Sequence, residues 1–257
     1  MHGRVLDGRY RLDAPLPSDD GIRAFRATHL PTGATVVVKL GPATVAPGAA
    51  MRSLDEAVRA VAGVEHPRLV VPRDVGRDAH LGPFVVSPHV EGETLRDRLG
   101  PAQRLPPETA VSILLALAEG LAELHDRGLA HGDLRPSRVA LQPQMGGPSF
   151  VRLLDPGLAG TALVPTPSAY AAPEQRAGGA PTPRADLFAL GSLAYEMLAG
   201  RRPGRNPQPL DALVPGLPAA LVEWVAALLR PRPEARPPSA AAALVALERA
   251  RVALAPA

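Results

Sequence analysis

Hydrophobic residues follow two different periods along this chain, and the change falls near Gly92. Before this point, short runs rich in valine and other β-branched residues are separated by turn residues, a pattern typical of strands. The predicted strands cover residues 9–16, 22–29, 34–40, 69–71 and 84–86. A single helix, predicted for residues 50–61, interrupts them. The first part of the chain is therefore expected to be a small, strand-rich unit.

After Gly92 the apolar residues recur at helical spacing, most clearly in a long segment that ends at Gly128. Its predicted buried face consists of Val111, Leu114, Leu115, Ala118, Leu121 and Leu124. The other predicted helices cover residues 93–99, 185–199, 219–229 and 239–252, and residues 201–218 form a loop. Short apolar runs at residues 138–141 and 151–154 bracket a turn. We expect an α+β fold in one domain, residues 1–257, with a strand-rich lobe over about 9–90 and a larger helical lobe over about 91–252.

Composition excludes several classes of protein. The chain has 257 residues, 46% of them hydrophobic, which is enough to bury a substantial core. Its formal charge of +3 comes from arginines scattered among carboxylates, without the basic runs that favour nucleic acid. There is no cysteine and no run of 18 apolar residues, so we expect no thiolate metal site and no membrane segment. The abundance of arginine, alanine and proline indicates a GC-rich, bacterial genome, and we expect a cytoplasmic protein.

Lys39 is the only lysine among 28 basic residues, and it follows a run of three valines at the end of a predicted strand. An ammonium group in a chain that otherwise uses arginine favours a role for a compact point charge. A lysine left by chance at a strand edge is the simpler alternative, and Lys39 taken alone does not decide between them.

Acidic residues at particular positions along the chain distinguish these alternatives. Glu56 lies in the predicted first helix, Asp133 follows His131-Gly132 after the long helix, and Asp155 follows the last short strand. Singly, each of the two aspartates is more often a turn or capping residue. Their order after Lys39 is the informative feature.

In this order the chain resembles the bacterial serine/threonine kinases of the eukaryotic protein-kinase type. The matching positions are Val36-Val37-Val38-Lys39, Glu56, His131-Gly132-Asp133, Asp155-Pro156-Gly157, Ala172-Pro173-Glu174, Asp186 and Arg236. The resemblance covers about residues 9–250 and implies a bilobal protein-kinase-like fold, with ATP and Mg²⁺ as cofactors and a protein as substrate or partner.

The resemblance also implies roles for individual residues. Lys39 grips the nucleotide phosphates and is held by an ion pair with Glu56, and Asp133 accepts the proton of a substrate hydroxyl. Arg135 replaces a lysine that contacts phosphate, and Asp155 holds Mg²⁺. Ser87 gates the adenine pocket. His89 lies in the hinge, where backbone groups bind the base.

Two departures weaken the implied activity. The expected glycine-rich loop has Pro17, Asp19 and Ile22 at its three glycine positions, which removes a backbone donor and adds negative charge and bulk beside the phosphates. Arg138 stands where the family has a metal-binding asparagine, and arginine has no lone pair for a cation. We therefore expect weak ATP binding and impaired Mg²⁺ binding.

Two further departures concern regulation. Pro156 replaces an aromatic residue that packs under the first helix, and Gly132 replaces an arginine that clamps a phosphorylated activation segment. Switching through a phosphate on Thr161, Thr166 or Ser168 is therefore not expected. His131 is expected to be a packed structural residue and not an acid or a base.

Three functional hypotheses follow. The favoured one is a degenerate kinase, or pseudokinase, that acts by binding nucleotide or a partner protein. The alternative is an active serine/threonine kinase with a weakened grip on phosphate and metal, which the presence of Lys39, Glu56, Asp133 and Asp155 favours. The third is a small-molecule phosphotransferase, because His131-Gly132-Asp133 also resembles the loop of aminoglycoside-type kinases. Kinases of that type lack an Ala-Pro-Glu segment that pairs with a later arginine, so Glu174 and Arg236 make this hypothesis the least favoured.

Overall fold

The structure is a computed structural model that describes residues 1–18, 22–43, 47–101 and 103–254. Its strands are β1 (Val5–Leu6), β2 (Tyr10–Leu16), β3 (Arg23–His29), β4 (Ala34–Leu40), β5 (Leu69–Val70), β6 (Asp74–Asp78), β7 (Gly82–Pro88), β8 (Glu93–Thr94), β9 (Val139–Gln144) and β10 (Gly147–Leu154). Its helices are α1 (Pro47–Val61), α2 (Leu95–Leu99), α3 (Pro107–Asp126), α4 (Pro173–Arg176), α5 (Pro183–Ala199), α6 (Leu210–Leu213), α7 (Ala219–Leu228) and α8 (Ala240–Val252). Short 3₁₀ turns cover Pro136–Arg138 and Pro233–Ala235.

The first lobe is an antiparallel sheet in the order β1-β2-β3-β4-β7-β6, with α1 packed against β6 and β7. Alternation along β4 determines which residues face the space between the lobes. Val38 and Leu40 enter the core of the sheet, whereas Val37 and Lys39 line a cleft on the other face. The strand pattern thus delivers Lys39 to the cleft.

The second lobe is helical and is built around α3, which packs against α5, α8 and strand β10. The apolar face of α3 lies at the centre of the largest core cluster, as its helical spacing predicted. Helices α5 and α8 begin after Thr182 and Ser239, whose side chains accept hydrogen bonds from the backbone N–H groups of Ala185 and Ala242. The segment predicted as a loop over residues 201–218 contains the short helix α6, anchored by the buried Leu210.

A second, four-stranded sheet in the order β5-β10-β9-β8 lies beside α3 and positions two of the polar loops. Arg138 immediately precedes β9 and Asp155 immediately follows β10. These strands pair antiparallel with Val139 opposite Leu153, so the start of one strand lies next to the end of the other. The hairpin therefore brings Arg138 and Asp155 together across 16 intervening residues.

Within the four described ranges, none of the helices is long and apolar enough to cross a membrane.

Candidate functional site

A cleft of about 270 Å³ opens where the two lobes meet. Its walls include Lys39 from β4, the end of β7 with Ser87 and His89, and Asp155 after β10. Four residues that the sequence assigned to one site therefore line the same cleft. Of the expected glycine-rich loop, Pro17 also lines the cleft, Ile22 is buried near it, and Asp19 is outside the described residues.

Lys39 forms an ion pair with Asp155. Burial and the neighbouring charge of Arg138 lower the pKa of the Lys39 ammonium to about 8, although the charge of Asp155 opposes this shift. The ammonium is thus placed among buried charged groups at the inner end of the cleft.

The predicted ion pair between Lys39 and Glu56 was wrong, because Glu56 lies exposed on α1. The face of α1 that packs inward carries Leu54, Val58 and Val61. A residue two positions after Leu54 lies roughly 200° around the helix and points away from that face. Among the ion pairs of the described residues, Lys39 is joined to Asp155 and Glu56 takes no part.

Asp155 is almost fully buried, and both of its carboxylate oxygens are already bound by protein groups. Its Oδ1 accepts a hydrogen bond of 2.6 Å from the Ser87 hydroxyl. Its Oδ2 accepts one of 2.9 Å from Nη1 of Arg138 and another from Lys39. Burial alone would raise the pKa of Asp155, but the charges of Lys39 and Arg138 and these hydrogen bonds outweigh burial and lower it to about 2.

Arg138 also reaches the second buried carboxylate of the site. Its Nε donates to Oδ2 of Asp133 at 3.1 Å, so one guanidinium group bridges Asp133 and Asp155. Arg135 forms a further ion pair with Asp133, with Nε 3.1 Å from Oδ2. Sequence reasoning identified Arg138 as a residue unable to bind metal but did not anticipate that it joins the two aspartates.

The residues present do not fit Mg²⁺. A magnesium ion needs free oxygen ligands in near-octahedral geometry. Here a guanidinium group occupies the space between the two carboxylates, and the oxygens of Asp155 are engaged by Ser87, Lys39 and Arg138. No cluster of three or more histidine, aspartate or glutamate side chains suited to a metal is found in the part of the chain that the structure describes. The expected metal role of Asp155 is therefore not supported by its surroundings.

Ser87 and His89, the residues expected at the adenine pocket and the hinge, make contacts that the resemblance did not imply. Ser87 is buried and directs its hydroxyl to Asp155, so it links the hinge strand to the charged cluster. The backbone N–H of His89 donates to the carbonyl of Thr35 at 3.4 Å, which leaves a bound base to other backbone groups around this position.

The backbone around Asp133 is fixed by Asp186 of α5. The Asp186 carboxylate accepts hydrogen bonds from the N–H groups of His131 and Gly132 at 2.7 and 2.8 Å. His131 itself is fully buried and burial lowers its pKa, as suits the predicted structural role. Gly132 has a φ of 80°, and a Cβ atom there would lie 2.6 Å from the Cβ of Ala159. The segment after Asp155 thus packs directly on Gly132 and leaves no room for an arginine.

A groove of about 410 Å³ lies in front of Asp133 and is bordered by Thr166, Gln175 and Pro181. Glu174, the neighbour of Gln175, pairs with Arg236 through contacts of 2.6 and 2.9 Å. This is the ion pair that the sequence predicted.

Comparison with known proteins places these features in a family. The protein kinase domain family model matches residues 22–214. Serine/threonine-protein kinase pkn2 of Myxococcus xanthus is 34% identical over 223 residues, which cover 81% of this chain and 26% of the relative. Serine/threonine-protein kinase PknL of Mycobacterium bovis is 30% identical over 86% of this chain and 58% of its own length. The chain thus spans between a quarter and three fifths of these two relatives.

Among solved structures, the PknI kinase domain of Mycobacterium tuberculosis superposes with a TM-score of 0.79 at 25% identity and covers 97% of this chain and 99% of the PknI chain. This similarity confirms the predicted bilobal α+β architecture. Together with the family match and the positions of Lys39, Asp133, Asp155, Glu174 and Arg236, it leads to one conclusion. The chain belongs to the protein kinase family and is a domain of the bacterial serine/threonine kinase type.

Proposed function

We propose that this domain is a degenerate protein kinase that acts by binding a nucleotide, a partner protein or both, and not by phosphoryl transfer. The observation that carries the proposal is the Arg138 guanidinium, which bridges Asp133 and Asp155. Kinases of this family use ATP with Mg²⁺, and the metal ions neutralise charge that develops on the transferring phosphoryl group. A fixed arginine between these carboxylates opposes metal binding by both charge and position.

The bridge made by Arg138 also affects Asp133, the residue that would accept the proton of the substrate hydroxyl in phosphoryl transfer. Asp133 is buried, and its Oδ2 lies 3.1 Å from Nε of both Arg135 and Arg138. A carboxylate oxygen that two guanidinium groups hold is not free to approach the hydroxyl of a substrate. If one lost metal contact is worth about 3 kcal/mol in the transition state, that loss alone slows transfer roughly a hundredfold.

Binding is better supported than catalysis. The cleft is open from the hinge to Lys39, and Ser87, His89 and Lys39 line it as the resemblance implies for a nucleotide pocket. The groove in front of Asp133 offers a second surface, where a protein substrate or partner would lie. Both surfaces are compatible with a signalling domain that responds to nucleotide.

The alternative is an active serine/threonine kinase. It is favoured by the convergence of Lys39, Asp133, Arg135 and Asp155 on one buried cluster. A small-molecule phosphotransferase is disfavoured by the ion pair between Glu174 and Arg236, which belongs to the protein-kinase pattern.

A phosphoryl-transfer assay separates the first two hypotheses. The purified domain is incubated with γ-labelled ATP, Mg²⁺ or Mn²⁺ and casein, beside the variant Asp133→Ala. We expect incorporation into casein and into the domain itself to be no faster in the unmodified protein than in Asp133→Ala. Incorporation above the Asp133→Ala level in either acceptor identifies an active kinase and rejects the proposal.

A further inference from the structure

A small cavity of about 50 Å³ continues the inner end of the nucleotide cleft. It lies between the end of β2 and the segment that precedes β9, and Lys39 and Ser137 line both the cavity and the cleft. Arg135 and Arg138 form its remaining charged wall. Its volume takes roughly three to five water-sized groups, which suits one phosphate group.

Two buried polar atoms at this cavity have no hydrogen-bond partner among the described residues. They are Nη2 of Arg138 and Oγ of Ser137. Arg138 is only 3% exposed, so water cannot readily replace a missing partner. Buried polar groups in proteins are nearly always hydrogen-bonded, and an unsatisfied charged donor is especially unfavourable. Two adjacent unsatisfied groups that line the same cavity indicate a missing acceptor.

The charges of the cluster indicate the sign of that acceptor. The charged donor without a partner among the described residues belongs to the guanidinium group of Arg138, and the ammonium of Lys39 lines the same cavity. Hydrogen bonds from charged donors are strongest when the acceptor carries the opposite charge. The cavity therefore favours an anion.

Shape and position identify the anion by class. A phosphate group has several acceptor oxygens and can take hydrogen bonds from Arg138, Ser137 and Lys39 together. The opposite end of the same cleft is the hinge, where Ser87 and His89 lie. A nucleotide whose base rests at the hinge extends its phosphates towards Lys39 and the cavity.

We propose that Arg138 and Ser137 form a phosphate-binding site that works without a metal ion, in which the guanidinium group supplies the positive charge that Mg²⁺ supplies in an active kinase. The ligand is the terminal phosphate of a nucleoside diphosphate or triphosphate. This inference rests on the proposed function, because it assumes that the cleft binds and does not transfer phosphate. Mg²⁺ lowers the negative charge of the ligand and therefore gives no gain in affinity.

The test is isothermal titration of the purified domain in EDTA with adenosine, ADP and inorganic tripolyphosphate, followed by ADP with excess Mg²⁺. We expect ADP to bind at least about tenfold more tightly than adenosine in EDTA, as a charged hydrogen bond provides, and Mg²⁺ not to tighten ADP further. Inorganic tripolyphosphate should compete with ADP, which would show that a free polyphosphate binds at the same site. Equal affinities of adenosine and ADP, or an ADP preference that requires Mg²⁺, overturn the proposal.

Variants assign the effect to residues. Arg138→Gln should abolish the preference for ADP over adenosine while the affinity for adenosine stays the same. Ser137→Ala removes one hydroxyl and should reduce ADP affinity by several-fold in a fully folded domain, so it tests the site even if Arg138→Gln misfolds. Arg205→Gln removes one exposed positive charge far along the chain and should leave both affinities unchanged. If Arg138→Gln folds and keeps the preference, or Ser137→Ala has no effect, the assignment is wrong.

Failure of this inference can be told apart from failure of the proposed function. The phosphoryl-transfer assay compares the unmodified domain with Asp133→Ala and does not depend on metal-free binding. A domain that transfers no phosphate and shows no preference for ADP rejects only the phosphate site. A domain that transfers phosphate rejects the proposed function itself.

Discussion

Two buried arginines, Arg236 and Arg138, hold carboxylates in the second lobe, and they do so in different ways. All five N–H groups of Arg236 have acceptors: both oxygens of Glu174 and the carbonyls of Arg184, Arg230 and Pro231. Arg138 donates to Asp133 and Asp155, while its Nη2 lacks an acceptor in the described part of the chain. An arginine whose N–H donors all have acceptors in the protein stabilises the fold, whereas an arginine with an unpaired donor in a cavity can bind a ligand.

The difference follows from what each arginine neutralises. Arg236 meets the single carboxylate of Glu174, and the pair is balanced. Arg138 joins a cluster that already contains Lys39 and Arg135, and it divides its bonds between the carboxylates of Asp133 and Asp155. The pair of Glu174 with Arg236 thus follows the kinase pattern, whereas Arg138 bridges the two buried aspartates of the site.

Removing Arg236 should have the largest effect on stability. Arg236→Gln leaves Glu174 without its partner and three carbonyls without donors. We expect the free energy of unfolding to fall by about 3–5 kcal/mol, as measured by urea denaturation. A loss below about 1 kcal/mol would contradict the structural role.

Removing Arg138 should cost much less, although it too is buried and ion-paired. Arg138→Gln removes one cation but leaves Lys39 paired with Asp155 and Arg135 paired with Asp133. We expect a change within about 1 kcal/mol in the same urea experiment. If Arg138→Gln is as destabilising as Arg236→Gln, the two arginines are equivalent structural ties and the comparison fails.

The pairing of Glu174 with Arg236 should also appear in the dependence of stability on pH. Burial alone raises the pKa of Glu174, but the hydrogen bonds and charge of Arg236 outweigh it, so the folded pKa lies below the ordinary value of 4.5. The stabilisation is therefore present above pH 4.5 and is lost as the pH falls from there through the folded pKa.

Thermal unfolding between pH 6 and pH 3 checks this point with Glu174→Gln and a matched variant, Glu248→Gln, at an exposed position of α8. Glu174→Gln should lower stability at pH 6 and make the curve less steep below pH 4.5. Curves of equal steepness for the two variants would show that Glu174 does not contribute.

The smallest effect on stability is expected for Ser137→Ala. The Ser137 hydroxyl is buried without a partner among the described residues, so its removal loses no hydrogen bond in the ligand-free protein. We expect the free energy of unfolding to change by less than about 0.5 kcal/mol or to rise slightly. A loss above about 1 kcal/mol would mean that the hydroxyl is already bonded, which removes one of the two supports for the phosphate site.

The sequence predicted the bilobal fold and grouped several residues that line one cleft. The valine-rich run predicted the strand over residues 34–40, and alternation along β4 then places Lys39 on the cleft. The order of acidic and basic motifs predicted the pairing of Glu174 with Arg236, because the resemblance assigns one partner to each.

The prediction for Glu56 relied on the order of motifs alone and was wrong. Its neighbours Leu54, Val58 and Val61 form the buried stripe of α1, and this spacing in the sequence already indicates that Glu56 points away. The bridge made by Arg138 could not be predicted from the sequence, for a different reason. It depends on the register of β9 against β10, which no periodicity in the sequence specifies.

In the proposed function, Arg138 takes the place of the metal ion in the cleft between the lobes. The most direct measurement is the thermal-unfolding midpoint of the domain with millimolar ATP, once with Mg²⁺ and once with EDTA. At a hundred times the dissociation constant, ATP stabilises the folded state by about 2.7 kcal/mol, or roughly 5–10 °C for a domain of this size. We predict equal shifts in the two conditions. A shift that appears only with Mg²⁺ would show that Asp155 binds metal despite Arg138 and would reject this role for Arg138.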